Sequence, residues 1–144
     1  MRKALALLVI GLALFGVIES NPELVRSLTG PAPASDQELA DAYQNRQSDI
    51  QVRGSGTVTR VLSDDNQGSR HQRFILELAS GQKVLVAHNI DLAPRIGKLS
   101  RGDLVEFYGE YEFNDKGGVI HWTHHDPGGR HVGGWLKHKG RTYQ

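Results

Sequence analysis

His71-Gln72-Arg73-Phe74-Ile75-Leu76-Glu77-Leu78 is the stretch on which the fold turns. Phe74, Leu76 and Leu78 share one parity, while Arg73, Ile75 and Glu77 share the other, so an extended chain sends the first set inward and the second outward. Ser80-Gly81-Gln82 supplies a turn, and the following run, Lys83 to His88, is apolar on both parities, as expected of a strand covered on both faces. The same period of two recurs upstream from Val52 to Leu62, which ends in the turn cluster Ser63-Asp64-Asp65-Asn66-Gln67-Gly68. Downstream it recurs from Asp103 to Phe113 and from Val119 to about His125, joined by Asn114-Asp115-Lys116-Gly117-Gly118. Pro127 has no N–H for a ladder and closes the last run. Five strands and an all-β domain are predicted. Between the third and fourth, Asn89 to Arg101 carries Ile90, Leu92, Ile96 and Leu99, enough to fold as a helical turn plugging one end of a barrel.

Ahead of the strands, Ser35-Asp36-Gln37-Glu38 has the spacing of a capping box, and Leu39, Ala42, Tyr43 and Arg46 follow on one helical face. A short amphipathic helix packed on the barrel is predicted. Residues 19–34, with three prolines and a glycine, read as a tether. Residues 1–18 place Arg2 and Lys3 before an uninterrupted apolar run from Ala4 to Ile18, the pattern of an export signal peptide or a membrane anchor. The 15-residue run is shorter than the roughly 20 residues of a spanning helix, which favours a signal. The Glu19-Ser20-Asn21-Pro22 flank has no small-x-small pair and favours an uncleaved anchor. On either reading the domain at 35–144 faces the periplasm or exterior, with the membrane as a partner through the N-terminal segment.

A chain of 144 residues fits one ordinary domain, and a net charge of +1 gives no sign of a dedicated DNA-binding protein or an acidic tail, so local charge must carry any such case. With no cysteine, disulfides, thiolate metal sites and a cysteine nucleophile are excluded, so any metal must be held by histidine and carboxylate. Five of the seven histidines lie between His121 and His138.

Three strands, a short connection and two more strands resemble an OB-fold, and Leu99-Ser100-Arg101-Gly102-Asp103-Leu104-Val105-Glu106-Phe107-Tyr108-Gly109-Glu110-Tyr111 is similar to that fold's approach to its fourth strand. Over about two thirds of its length the chain also resembles a family of small exported bacterial OB-fold-like proteins of unassigned function. That resemblance is carried by His71-Gln72-Arg73-Phe74-Ile75-Leu76, Val86-Ala87-His88-Asn89-Ile90-Asp91-Leu92-Ala93-Pro94-Arg95-Ile96 and His121-Trp122-Thr123-His124-His125-Asp126-Pro127. It implies a five-stranded barrel whose third and fifth strands pair in parallel, followed by a His/Gly-rich C-terminal extension.

That topology brings Asp64, Asp65, His71, His88, His124, His125 and Asp126 to one rim. His71, His88, His124 and Asp126 are the candidate ligands for zinc or another divalent transition metal. His124 and Asp126, two apart on a strand, would share a face about 6.6 Å apart. Taken singly, each histidine reads better as a solvated side chain of a polar edge strand. Beyond Gly128, Arg130, Lys137, Trp135 and Tyr143 interleave cations with aromatics, a composition suited to phosphate contact and ring stacking, and Arg73 adds a cation on the second strand. A glycine-rich tail docking Trp135 and Leu136 as a cover is the plainer reading of the same segment. These residues leave three functions open. One is a binding module for an anionic or oligomeric ligand, including single-stranded nucleic acid. A second is a metal-dependent phosphodiesterase or nuclease with His125 as base. A third is an envelope scaffold. The absence of any familiar nuclease motif favours binding.

Overall fold

The computed structural model describes residues 34–144, so the expected signal or anchor at 1–18 and nearly all of the tether lie outside the described residues. Among the described residues, no helix is long and apolar enough to cross a membrane. Helix α1 (Ala34–Gln44) is followed by β1 (Ile50–Val61), β2 (His71–Glu77), β3 (Lys83–Asn89), β4 (Leu104–Glu112), β5 (Val119–His121), β6 (Trp135–His138) and β7 (Arg141–Tyr143). The sheet order is β1-β2-β3-β5-β4-β6-β7, and an additional β1–β4 pairing closes the first five strands into an OB-like barrel. β3 and β5 run parallel, with Leu85 opposite Val119 and Val86 opposite Ile120.

Closure depends on β1 serving two neighbours at once. Its first half, Ile50 to Thr57, pairs with β4, and its second half pairs with β2. Glycines stand where the strand coils from one to the other. A Cβ on Gly54 would lie 2.7 Å from the Phe107 ring, and one on Gly56 would lie 2.9 Å from the Glu77 carbonyl oxygen. The alternating residues of β2 behave as their parity demands: Phe74, Leu76 and Leu78 are buried with Val84, Val86 and Phe107 in the core. Tyr111 is buried there too, and its hydroxyl donates to the Gly117 carbonyl at 2.9 Å.

Leu39 and Ala42 of α1 join this core. Tyr43 stacks on Phe113, and Arg46 ends the helix at a φ of 52°. In place of the expected capping box, the helix starts at Ala34, and Asp36 reaches across to accept the Ser80 N–H at 3.2 Å. The opposite end of the barrel is plugged by residues 89–101, with Ala93 and Ile96 buried. This segment is a chain of turns, a departure from the expected helical turn. Pro94 disfavours the helical region for the residue before it and has no N–H to donate, so helical bonding does not run past the single Ala93 N–H to Asn89 carbonyl bond. Gln72 does the work of helical hydrogen bonds instead. Its side chain both donates to the Ile96 carbonyl and accepts the Ile96 N–H, each at 2.9 Å.

The largest departure concerns the fifth strand. It ends at His121, where Trp122 adopts a φ of 55°, and does not continue to His125. β5 pairs with Glu110–Glu112 of β4, and β6 pairs with Val105–Tyr108. The other edge of β4 is occupied by β1, so β6 resumes the path that β5 left. Residues 122–134 are therefore an excursion from a single strand position. At the return, Gly134 donates to the His124 carbonyl, and a Cβ there would collide with the Trp122 and Tyr108 carbonyl oxygens. The C-terminal residues are not a loose cover. They form the β6–β7 hairpin that extends the sheet, with Leu136 fully buried.

Candidate functional site

His88 continues the inward parity of Val84 and Val86, and it is fully buried at the plugged end of the barrel. Its Nε2 is 2.9 Å from the Pro94 carbonyl, which can only accept, so Nε2 carries the proton. Its Nδ1 therefore accepts from the Thr123 hydroxyl at 2.7 Å. Burial pushes the His88 pKa down to about 4, with the charges of His124 and His71 adding to the effect and the Pro94 carbonyl opposing it. His88 is thus a neutral pin that ties β3 to the connection on one side and to the excursion on the other.

Three of the other rim residues, His71, His124 and Asp126, are held by backbone groups. His71 Nδ1 lies 2.9 Å from the Ser69 carbonyl, and His124 Nδ1 lies 2.6 Å from that of His125. Asp126 accepts the N–H groups of His131, Gly128 and Arg130, each at 2.9 Å, and these bonds hold its carboxyl below the usual range. Asp64 pairs with Arg95. His124 and Asp126 lie on the excursion beyond the end of β5, so the shared strand face expected of them does not form. The structure gathers His71, His121 and His124 around a shallow recess of about 240 Å³. His88 points into the core with both nitrogens committed, and Asp126 is spent on its own loop. As ligands for one ion the four expected residues do not fit, and among the described residues no group of three or more His, Cys, Asp or Glu is placed to hold a metal. His125 is exposed on the excursion.

The excursion carries its own charged contact. The His131 ring stacks on Trp122, 3.9 Å between centroids and 9° between planes. Its Nδ1 faces the Val132 carbonyl at 2.8 Å and its Nε2 faces a Glu110 carboxylate oxygen at 2.5 Å. With acceptors on both sides, the doubly protonated ring is the form that satisfies both. Burial opposes that charge, but the Val132 carbonyl, the Glu110 bond and the Asp126 charge together raise the His131 pKa above its ordinary value.

On the outer face of β2 and β3 lies a groove of about 340 Å³. Ile75 and Leu85, opposite one another across the two strands, form its floor. Arg60 from β1, Arg73 from β2, Lys83 from β3 and Lys116 from the β4–β5 turn surround it, and among its described lining residues none is acidic. Arg73 is steadied by a bond from Nε to the Ser63 carbonyl at 3.1 Å. Arg60, Lys83 and Lys116 are exposed.

The family described as "Protein of unknown function (DUF3465)" matches residues 24–144. The chain belongs to the DUF3465 family. No curated protein matches it. The match takes in the barrel, the excursion and the C-terminal hairpin of this DUF3465 protein alike. Of the expected ligand-binding residues, Arg73 lines the β2–β3 groove, whereas Trp135 and Lys137 lie on the outer face of β6, a different surface of the barrel. Arg130 is exposed on the excursion. Tyr143 is 6% exposed and belongs to the hydrophobic core, so its ring is not offered for stacking. Sequence reading missed Arg60, Lys83 and Lys116. The outward parity of Lys83 and Leu85 was a usable signal, but the convergence of four separate segments was not.

Proposed function

We propose that this DUF3465 protein is a binding module that holds an anionic, oligomeric ligand in the groove on the outer face of β2 and β3. The observation that carries the reading is the convergence of Arg60, Arg73, Lys83 and Lys116 around an apolar floor with no acidic residue in the described lining. Four cations from four segments repel one another; Glu77, opposite Lys83 at one end of the same face, offsets part of that charge, and the remaining excess of positive charge favours a bound anion. Ile75 and Leu85 lower the local polarity, which strengthens each ion contact. In OB-like barrels this face and the loops beside it are the usual place for oligonucleotides and oligosaccharides. No aromatic ring is among the described lining residues, so the groove reads a charged backbone more than stacked bases. The basic pair Arg2-Lys3 before the apolar run Ala4–Ile18 supports presentation of the domain outside the cytoplasm. A phosphodiesterase built on the rim would need His88 and Asp126 released from their present bonds, and no observation favours that.

The test uses the full-length chain in a detergent without a sugar headgroup, with single-stranded oligothymidylate and inorganic polyphosphate as probes, read by fluorescence anisotropy or competition. Lys116→Glu and Arg73→Glu should each weaken binding roughly tenfold. If all four cations engage a single strand, log affinity should fall against log salt with a slope of about −3. Failure of both probes to bind at low salt, or binding indifferent to both charge reversals, overturns the reading.

A further inference from the structure

A second surface, on the outer face of β1, β4 and β6, differs from the groove in its chemistry. The strand register lines up Arg53, Tyr108 and Trp135 in one row across the three strands. The Tyr108 and Trp135 rings lie 6.0 Å apart between centroids. The Arg53 guanidinium carbon sits 5.0 Å from the Tyr108 ring and 5.4 Å from the Trp135 ring, and Lys137 Nζ sits 4.4 Å from Trp135. The next outward row is Ser55, Glu106, Lys137 and Thr142. A groove of about 300 Å³ runs between these rows and the start of α1.

We infer that this platform is a second ligand site, separate from the anion groove, and that it takes an uncharged pyranose ring of a glycan. Two half-buried aromatic rings side by side form a platform on which the long Arg53 and Lys137 side chains lie in the free protein, and a sugar takes their place with its C–H face on the rings and the displaced cations at its margin. That margin has both signs. Arg53 and Lys137 donate, Glu106 accepts, and the hydroxyls of Ser55 and Thr142 do either, as the alternating hydroxyls of a sugar require. The charge balance separates this surface from one for nucleic acid. Glu106 stands two residues from Tyr108 on the same face, about 6.6 Å along the strand, where it repels a phosphodiester laid over the rings. The β2–β3 groove has four cations and no ring, whereas the platform has two rings and nearly balanced charge. The two surfaces divide the recognition of charge and of rings between them.

Trp135 is its own reporter once Trp122→Phe removes the other indole and keeps an aromatic partner for His131. Full-length protein of that background is titrated with a panel of neutral β-1,4-linked tetrasaccharides of glucose, N-acetylglucosamine and mannose. At least one should give a saturable change in Trp135 emission at millimolar concentration or below, insensitive to salt. Tyr108→Ala should weaken that response roughly tenfold, while Lys116→Glu, on the other surface, should leave it unchanged. Because Trp135→Ala can loosen β6, the milder Trp135→Phe is read by amide shifts of Arg53 and Glu106 in its place. Glu106→Gln should keep sugar binding within a few-fold. No saturable response to any sugar of the panel overturns the inference. So does a salt-sensitive Trp135 response to oligothymidylate that strengthens in Glu106→Gln, which would make the platform a nucleic-acid surface.

Discussion

Replacing His88 with glutamine tests how the plugged end of the barrel is held. Glutamine keeps one donor and one acceptor for the Pro94 carbonyl and the Thr123 hydroxyl, but it cannot take up a proton. In the folded wild type the His88 pKa is pushed down to about 4, against 6.5 for an unconstrained histidine. The unfolded chain therefore binds a proton that the folded chain refuses between those values, and stability contributed by the neutral ring is fully present above 6.5 and lost as pH falls towards 4. At about 1.4 kcal/mol per pH unit, that loss amounts to about 3 kcal/mol, a sizeable share of an ordinary domain's stability. Urea unfolding followed at intervals from pH 7 to pH 4 should show the wild type losing that much more stability than His88→Gln. At pH 7, His88→Ala should cost about 3–5 kcal/mol, since it leaves a cavity and strands two buried polar groups. Parallel pH profiles for wild type and His88→Gln, or a cost for His88→Ala under about 1 kcal/mol, would refute the buried-pin account.

His131 has the opposite sign: its raised pKa means that its ion contact stabilises the excursion at low pH and is lost as pH rises through that value. Trp122 emission should report this loosening on alkalinisation, and Glu110→Gln should move its midpoint to lower pH; an unmoved midpoint would dissociate His131 from Glu110. Asp126→Ala frees the N–H groups of Gly128, Arg130 and His131, so amide exchange there should quicken while the β2 and β3 amides keep their protection. Tyr111→Phe removes the buried bond to the Gly117 carbonyl and should cost about 1 kcal/mol in chemical denaturation, with no change in ligand affinity.

The barrel was legible because its information is local. Alternation in 71–78 and the two-faced apolar run in 83–88 identify strands without reference to anything distant, and their parities predicted the burial of Phe74, Leu76 and Leu78. The same parity held the fate of His88, which is in phase with Val84 and Val86, and of Gln72, in phase with Phe74. Weighing His88 as a metal ligand gave its residue type more force than its position. The break between β5 and β6 was not legible, because it depends on residues 135–138 returning to the β4 edge that 119–121 had left. No local pattern encodes that return. The cations of the β2–β3 groove lie on four segments: the β1–β2 pairing sets Arg60 opposite Ile75, beside Arg73, and the long-range parallel pairing of β3 with β5 brings the turn that carries Lys116 to Lys83.

The claim that the β2–β3 face is the anion site is tested most directly by mapping bound oligothymidylate or polyphosphate on the full-length protein by amide and arginine side-chain NMR. The account predicts shifts concentrated at Arg60, Arg73, Ile75, Lys83, Leu85 and Lys116, abolished together by added salt, with His71, His124 and His125 unmoved. Shifts centred on the excursion histidines or on Trp135, with the β2–β3 face silent, would contradict it.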